Sequence, residues 1–290
     1  MIFINIGIDV GGSHVCIGLV DDEGKIISRN DAYYNNHDFS FDTLNELFDG
    51  INKFVAKHED EAESIGIGIP GFASDTLINY TCNLPLENFE ITDYLKTKLP
   101  IYVSNDANCA TIAEYELIDR KMFSNYILVT VGTGIGGGII LNGSLYTGST
   151  GVAGEIGHMV IDKDGLECRC GRRGCFEKYA SCKALLKMLE VQTMEEAFYL
   201  VEKNPNIQNV FDTYLENLSE GFANIINIYD PEMLVIGGSL SEYEDVFLHK
   251  LKAKVLSKIY NKYTYDLNLK CAKLKNDAGL IGASMLCKYL

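Results

Sequence analysis

A strand, a glycine-rich turn and a second strand occur twice in this chain, and that repeat constrains the fold more than any other feature. The first copy runs from Ile2 to Val20 around Asp9-Val10-Gly11-Gly12-Ser13. The second runs from Tyr126 to Leu141 around Gly132-Thr133-Gly134-Ile135-Gly136-Gly137-Gly138. Each copy leads into helices and strands. After the first, Lys25 to Asn30 reads as a third strand, and Leu44, Leu47, Phe48, Ile51, Phe54 and Val55 fall at helical spacing. Ile65 to Ile69 and Ile101 to Ser104 are short apolar strands, the second running through Asn105-Asp106 into a helix from about Ala107. After the second copy, Phe211, Leu215, Leu218, Phe222, Ile225, Ile226 and Tyr229 mark a long helix. Met233 to Ile236 is a strand closed by Gly237-Gly238, and Gly279 to Leu290 a terminal helix. Two related α/β lobes with a ligand cleft between them are expected.

At 290 residues and 47% hydrophobic, the chain can bury the cores two lobes need. With only 5 prolines and no Gly/Ser-rich stretch, the lobes should be tightly coupled. The net charge of −15 argues against a nucleic-acid partner, whose affinity comes from basic patches. A phosphate ligand would then need backbone donors, helix N-termini or a metal. No stretch approaches the roughly 18 apolar residues of a membrane span, and the N-terminus lacks a signal-peptide pattern. A cytoplasmic protein with no membrane partner is expected. Nine cysteines without an export signal fit scattered reduced thiols plus one special cluster.

Four segments can carry chemistry. In the first turn, glycines allow backbone N–H groups to close on phosphate oxygens, and Asp9 could orient a magnesium ion through water. Taken alone, these residues read more readily as an ordinary hairpin turn, since glycine turns are common. The second turn holds five glycines in seven residues, which weakens a strand unless a close backbone approach requires them. It has neither P-loop nor dinucleotide-fingerprint spacing, so a pair of glycine hairpins clamping phosphates is the better reading. Cys168-x-Cys170-Gly171-x-x-Gly174-Cys175 follows Glu155-Ile156-Gly157-His158, and His158 with the three cysteines makes a closed, structural zinc set. Free thiols or a disulfide are the alternatives. In Ser104-Asn105-Asp106-Ala107-Asn108, Asp106 is either a general base or a helix cap.

Taken together these segments resemble the ROK family of repressors and sugar kinases, over nearly the whole chain. The resemblance is carried by Val131 to His158, with Gly148, Gly154 and Gly157-His158 at the family's spacing, and by the cysteine loop after it. It implies an α/β, two-lobed actin/hexokinase-like (ribonuclease H-like) fold. The smaller lobe would take 1–116 with 277–290, and the larger, carrying the zinc loop, 117–276. It implies ATP- and Mg2+-dependent phosphorylation of a free hexose at the C6 hydroxyl. Asp9, Gly11, Gly12, Ser13, Gly132, Thr133, Gly134, Gly136, Gly237 and Gly238 would bind ATP. Gly71, Asn83, Asn105, Asp106, Glu155, His158 and Glu177 would bind the sugar, with Asp106 as base. His158, Cys168, Cys170 and Cys175 would hold Zn2+. A homodimer or homotetramer is implied.

Ser13 and His14 stand where the family more often has Thr and Lys. Asn83-Leu84-Pro85-Leu86 lacks the Trp that follows this Asn-Leu in glucose kinases, a detail closer to D-allose kinases, so D-allose is the expected sugar. Glucose and N-acetylmannosamine are the alternatives, and a non-catalytic sugar-sensing regulator is the alternative of another class. A family repressor would need a helix-turn-helix ahead of Ile2, and no room for one is expected.

Overall fold

The computed structural model describes residues 3–11, 14–34, 41–81, 84, 86–120, 122–262 and 266–290. They group into two compact units. One comprises Met1–Met122, Ser144–Ala153 and Asn276–Leu290, and the other Phe123–Gly143 and Gly154–Lys275. Residues 144–153, within the range expected for the larger lobe, thus group with the first unit.

The first unit is built on a sheet in the order Ile26–Tyr33, His14–Asp21, Ile4–Val10, Ile65–Ile69, Ile101–Asn105. The first three strands are antiparallel neighbours, and the last two join Ile4–Val10 in parallel. Ile6, Ile8, Ile65 and Ile67 are at most 1% exposed, so the alternate isoleucines of Ile-Asn-Ile-Gly-Ile and Ile-Gly-Ile-Gly-Ile put one face of these strands into the core. The C-terminal helix lies directly on them. A Cβ on Gly7 would stand 2.2 Å from the Leu280 carbonyl oxygen, and one on Gly66 1.7 Å from that of Ala283. Glycine inside these two strands is therefore the condition for the helix to dock. That helix is shorter than the pattern suggests. It spans Ala278–Ser284, tightens at Met285, whose N–H bonds back to Gly282, and continues as a 3₁₀ turn over Leu286–Lys288. A second, antiparallel sheet of Gly71–Ser74, Leu77–Thr81 and Glu87–Glu90 is absent from the sequence reading.

In the second unit, Ile135–Leu141 pairs antiparallel with Tyr126–Val131, which runs parallel to Met233–Gly237, itself parallel to Leu269–Cys271. The repeat seen in the sequence is thus a repeat of topology: each glycine hairpin hands its first strand to a parallel partner. Asn142 and Gly143, with φ of +53° and +75°, supply the two positive dihedrals of a tight turn after the hairpin. The helix Gln208–Tyr229 buries Phe211, Leu215, Leu218, Phe222, Ile225 and Ile226 on one stripe and packs against Glu244–Lys258. Among the described residues no helix is long and apolar enough to cross a membrane.

Candidate functional site

In the first unit, strand Ile101–Asn105 passes without a loop into helix Asp106–Ala113. Asn105 is extended, and its Oδ1 caps the helix by accepting from the Ala107 N–H at 2.8 Å. Its Nδ2 donates to the Gly71 carbonyl at 3.1 Å. Gly71 must lack a side chain, since a Cβ would stand 2.0 Å from the Tyr80 carbonyl oxygen. Asp106 occupies the first helical position, where a carboxylate is favoured by the helix dipole, and its Oδ1 also accepts from Ala107 N–H at 2.8 Å. Asn105 therefore serves the helix end in its own right. Asn83 lies outside the described residues; nearby, the buried Thr81 hydroxyl donates to the Leu84 carbonyl at 2.6 Å.

Asp9 pairs in register with Cys16 and Gly68, and its carboxylate stands over Gly279, where a Cβ would lie 2.5 Å from Oδ2. Burial pushes the Asp9 carboxyl up, against the charges of His14 and Arg29. The Gly11 N–H bonds to the His14 carbonyl at 2.8 Å and the Tyr34 hydroxyl donates to the Gly11 carbonyl. Gly12 and Ser13 lie outside the described residues. Cys109, fully buried one turn after Asp106, has its thiol pushed well up by burial, then by Asp9 and Asp106. Both candidate carboxylates thus act on one buried sulfur.

In the second unit, the Gly132 N–H bonds to the Gly134 carbonyl at 3.0 Å, making the turn tight and leaving Thr133 exposed. The Gly136 N–H is held by Thr130 Oγ1 at 3.2 Å. The glycine run divides by purpose. A Cβ on Gly137 would stand 2.5 Å from Ile156, and one on Gly157 2.1 Å from the Ile135 carbonyl oxygen, so Gly137 and Gly157 let the 3₁₀ turn Ile156–His158 pack on the hairpin. Gly132 and Gly134 stay free of that packing, their Cβ positions meeting only Ser239 Oγ and Glu177 Oε2. Gly237 pairs with Thr130, and Gly238 has φ +74° with a Cβ position 2.6 Å from the Val131 carbonyl oxygen. The segment after strand Met233–Gly237 therefore lies against the glycine turn. Gly238→Ala is expected to destabilise the protein by about 1–3 kcal/mol through the strained dihedral, measured by chemical denaturation; parent-like stability would remove that constraint.

The cysteine loop brings its donors together. Cys170 Sγ lies 3.5 Å from Cys175 Sγ, Cys168 Sγ 3.6 Å from His158 Nδ1, and all four donor atoms lie within 4.8 Å of one another. A tetrahedral zinc with bonds of about 2.3 Å to sulfur has sulfur–sulfur edges of about 3.8 Å, so the donors fit such an ion. None of the described cysteines is disulfide-bonded. The loop wraps through Gly171 and Gly174, both at positive φ; a Cβ on Gly174 would stand 1.6 Å from the Asp162 carbonyl oxygen. His158 turns Nδ1 to the cysteines and Nε2 toward Glu155, 3.9 Å away. Burial raises the Glu155 carboxyl, with His158 opposing and Glu177 adding to it. Glu177 joins two features: Oε1 lies 3.3 Å from Cys168 Sγ, and Oε2 would lie 3.1 Å from a Cβ on Gly134.

Three supports were not read from the sequence. Phe176, fully buried between Cys175 and Glu177, fills space that Gly221 of the long helix leaves open; a Cβ there would stand 2.3 Å from its ring. Cys182 donates its N–H to the Gly132 carbonyl at 2.8 Å and its thiol to that of Val131 at 3.4 Å. Ser239 Oγ donates to Cys182 Sγ at 3.5 Å. Thiols read only for metal or redox chemistry conceal such a packing role; the buried small residue after a helix cap was the available signal.

Two units built on glycine hairpins with parallel strands beside them define the actin/hexokinase-like class. Residues 5–289 match the ROK family, and the chain belongs to it. It is 31% identical to a glucokinase of Halalkalibacterium halodurans over 98% of this chain and 94% of that one. It is also 31% identical to a xylose repressor of Bacillus subtilis, over 97% of this chain and 76% of the repressor. The crystal structure of a ROK family glucokinase from Streptomyces griseus, in complex with glucose and AMPPNP, superimposes with a TM-score of 0.80 at 28% identity, covering 98% of each chain.

Proposed function

We propose that this protein is an ATP-dependent hexose kinase that phosphorylates the C6 hydroxyl of a free aldohexose, with D-glucose as the first candidate. The observation that carries the reading is the strand-to-helix turn: Asn105 caps the helix and grips Gly71, while Asp106 presents a carboxylate at the helix's first position. Phosphoryl transfer asks mainly for positioning and charge stabilisation. Asp106 accepts the proton of the attacking hydroxyl. Gly71, Asn83, Asn105, Glu155, His158 and Glu177 hold the sugar. The amides of the turns at Gly11–Ser13 and Gly132–Gly136 hold phosphates, and Gly237-Gly238 flanks the adenosine. Asp9 would hold, through water, a magnesium ion brought with the nucleotide, and that ion would supply neutralisation of phosphate charge. His158, Cys168, Cys170 and Cys175 would hold a zinc ion, and such a set of three thiolates and one imidazole would make its role structural.

The expectation of D-allose draws no support from the relatives reported above. It rested on Asn83-Leu84-Pro85-Leu86, of which Asn83 and Pro85 lie outside the described residues, and on the loop around residues 146 to 158. The likeness to a xylose repressor favours a second reading, a sugar-binding regulator without turnover. Turnover assays with ATP against D-glucose, D-allose, N-acetylmannosamine and D-xylose decide among these. The expected result is highest kcat/KM for D-glucose, with D-allose at least about ten-fold lower, the scale of a mispaired hydroxyl in a polar site. Sugar binding without phosphorylation of any of them would establish the regulator.

A further inference from the structure

We propose that Asn108 is a positioning residue for Asp106, an inference that rests on the kinase reading above. Asn108 is the third residue of helix Asp106–Ala113 and is 2% exposed. Its Nδ2 reaches back to donate to Ser104 Oγ at 3.3 Å, while Oδ1 has no hydrogen-bond partner among the described residues. Half of this buried amide goes unmet, and an unmet buried polar group costs stability. This bond alone therefore does not make Asn108 a stabilising choice for the helix.

The placement of the bond accounts for it. Ser104 precedes the cap and Asn108 sits one turn into the helix, so their bond encloses Asn105 and Asp106. It resembles a capping box, in which the third helical side chain reaches back across the first turn. Here the helix end is already served by Asn105. The second strap fixes how the turn carrying Asp106 is set on the strand. Ser104 pairs in register with Gly68, and Gly68 with Asp9, so the strap refers the position of Asp106 to the strand that carries Asp9. A base acts only within hydrogen-bond reach of its proton, and a misplacement of about 1 Å costs on the order of a hundred-fold.

The test is steady-state kinetics with hexose and ATP, beside thermal melting, on the full chain carrying Asn108→Leu, Ser104→Ala or both. Each single variant is expected to lose about ten- to a hundred-fold in kcat, with KM for both substrates within about three-fold. Ser104→Ala, which adds no volume, should melt no more than about 3 °C below the parent. The double variant should be no slower than the worse single one, because both break the same bond. Ser104→Ala removes one hydroxyl and decides alone if Asn108→Leu does not fold. A kcat within two-fold of the parent overturns the proposal, as does a loss shared between kcat, both KM values and the melting temperature. A parent that turns over no hexose overturns the kinase reading and this proposal with it. An active parent with equally active variants overturns this proposal alone.

Discussion

Asp106→Asn is expected to lower kcat by about two to four orders of magnitude while leaving the KM for hexose within a few-fold, the range for removing a general base. The substitution separates the two roles the sequence left open. Asparagine keeps the shape of the side chain and a carbonyl oxygen able to accept from the Ala107 N–H, as Asp106 Oδ1 does at 2.8 Å. Asn105 caps the same N–H independently. Helix geometry should therefore survive, and with it the grip of Asn105 on Gly71. What the variant loses is a carboxylate able to take the proton of the attacking hydroxyl. Steady-state kinetics with glucose and ATP, with isothermal titration for sugar affinity, measures both quantities. A variant turning over within a few-fold of the parent makes Asp106 a cap, and the base must then be sought elsewhere.

The helix Gln208–Tyr229 was legible because seven apolar residues at helical spacing leave one solution, and its buried stripe is the one read. The two hairpins were legible because glycines interrupt otherwise apolar runs. The sheet Gly71–Ser74, Leu77–Thr81, Glu87–Glu90 was not, because strands of four or five residues with Asn79, Glu87 and Glu90 in them show no period. Its turn depends on Asp75 at φ +55°, a conformation without a strong local signature. The terminal helix was over-extended because Met285 to Leu290 is apolar apart from Lys288 while its hydrogen bonding tightens. At the site, spacing found the residues and could not divide their tasks. Five glycines looked alike in sequence; the structure gives Gly137 to packing against Ile156 and leaves Gly132 and Gly134 facing no such neighbour. Supports such as Phe176 against Gly221 pair residues far apart in the chain, and a single sequence offers no signal for that.

Purified without chelator, the protein is expected to carry about one zinc per chain, and Cys170→Ser to lose it. Cys170 is the ligand to change because it is exposed, whereas Cys175 is fully buried and its replacement would disturb packing directly. The effect should not stop at the metal. His158 Nδ1 faces the cysteines and Nε2 lies 3.9 Å from Glu155, while Glu177 Oε1 lies 3.3 Å from Cys168 Sγ. With the ion gone, the thiols and the imidazole lose the common centre that fixes their directions, and both carboxylates lose their supports. Removing a support around a metal site costs about 10–100-fold in affinity or activity, and the same range is expected for hexose affinity in Cys170→Ser. Because Glu177 also stands against Gly134, nucleotide affinity should fall as well, by a smaller factor. Cys287→Ser, outside the cluster, is the control and should keep both metal and affinity. Elemental analysis and calorimetric titration with glucose and a non-hydrolysable ATP analogue read the three quantities separately. Metal lost with glucose affinity unchanged would show that the zinc loop folds this unit without aiming Glu155 and Glu177, and parent protein free of zinc would remove the metal from the account altogether.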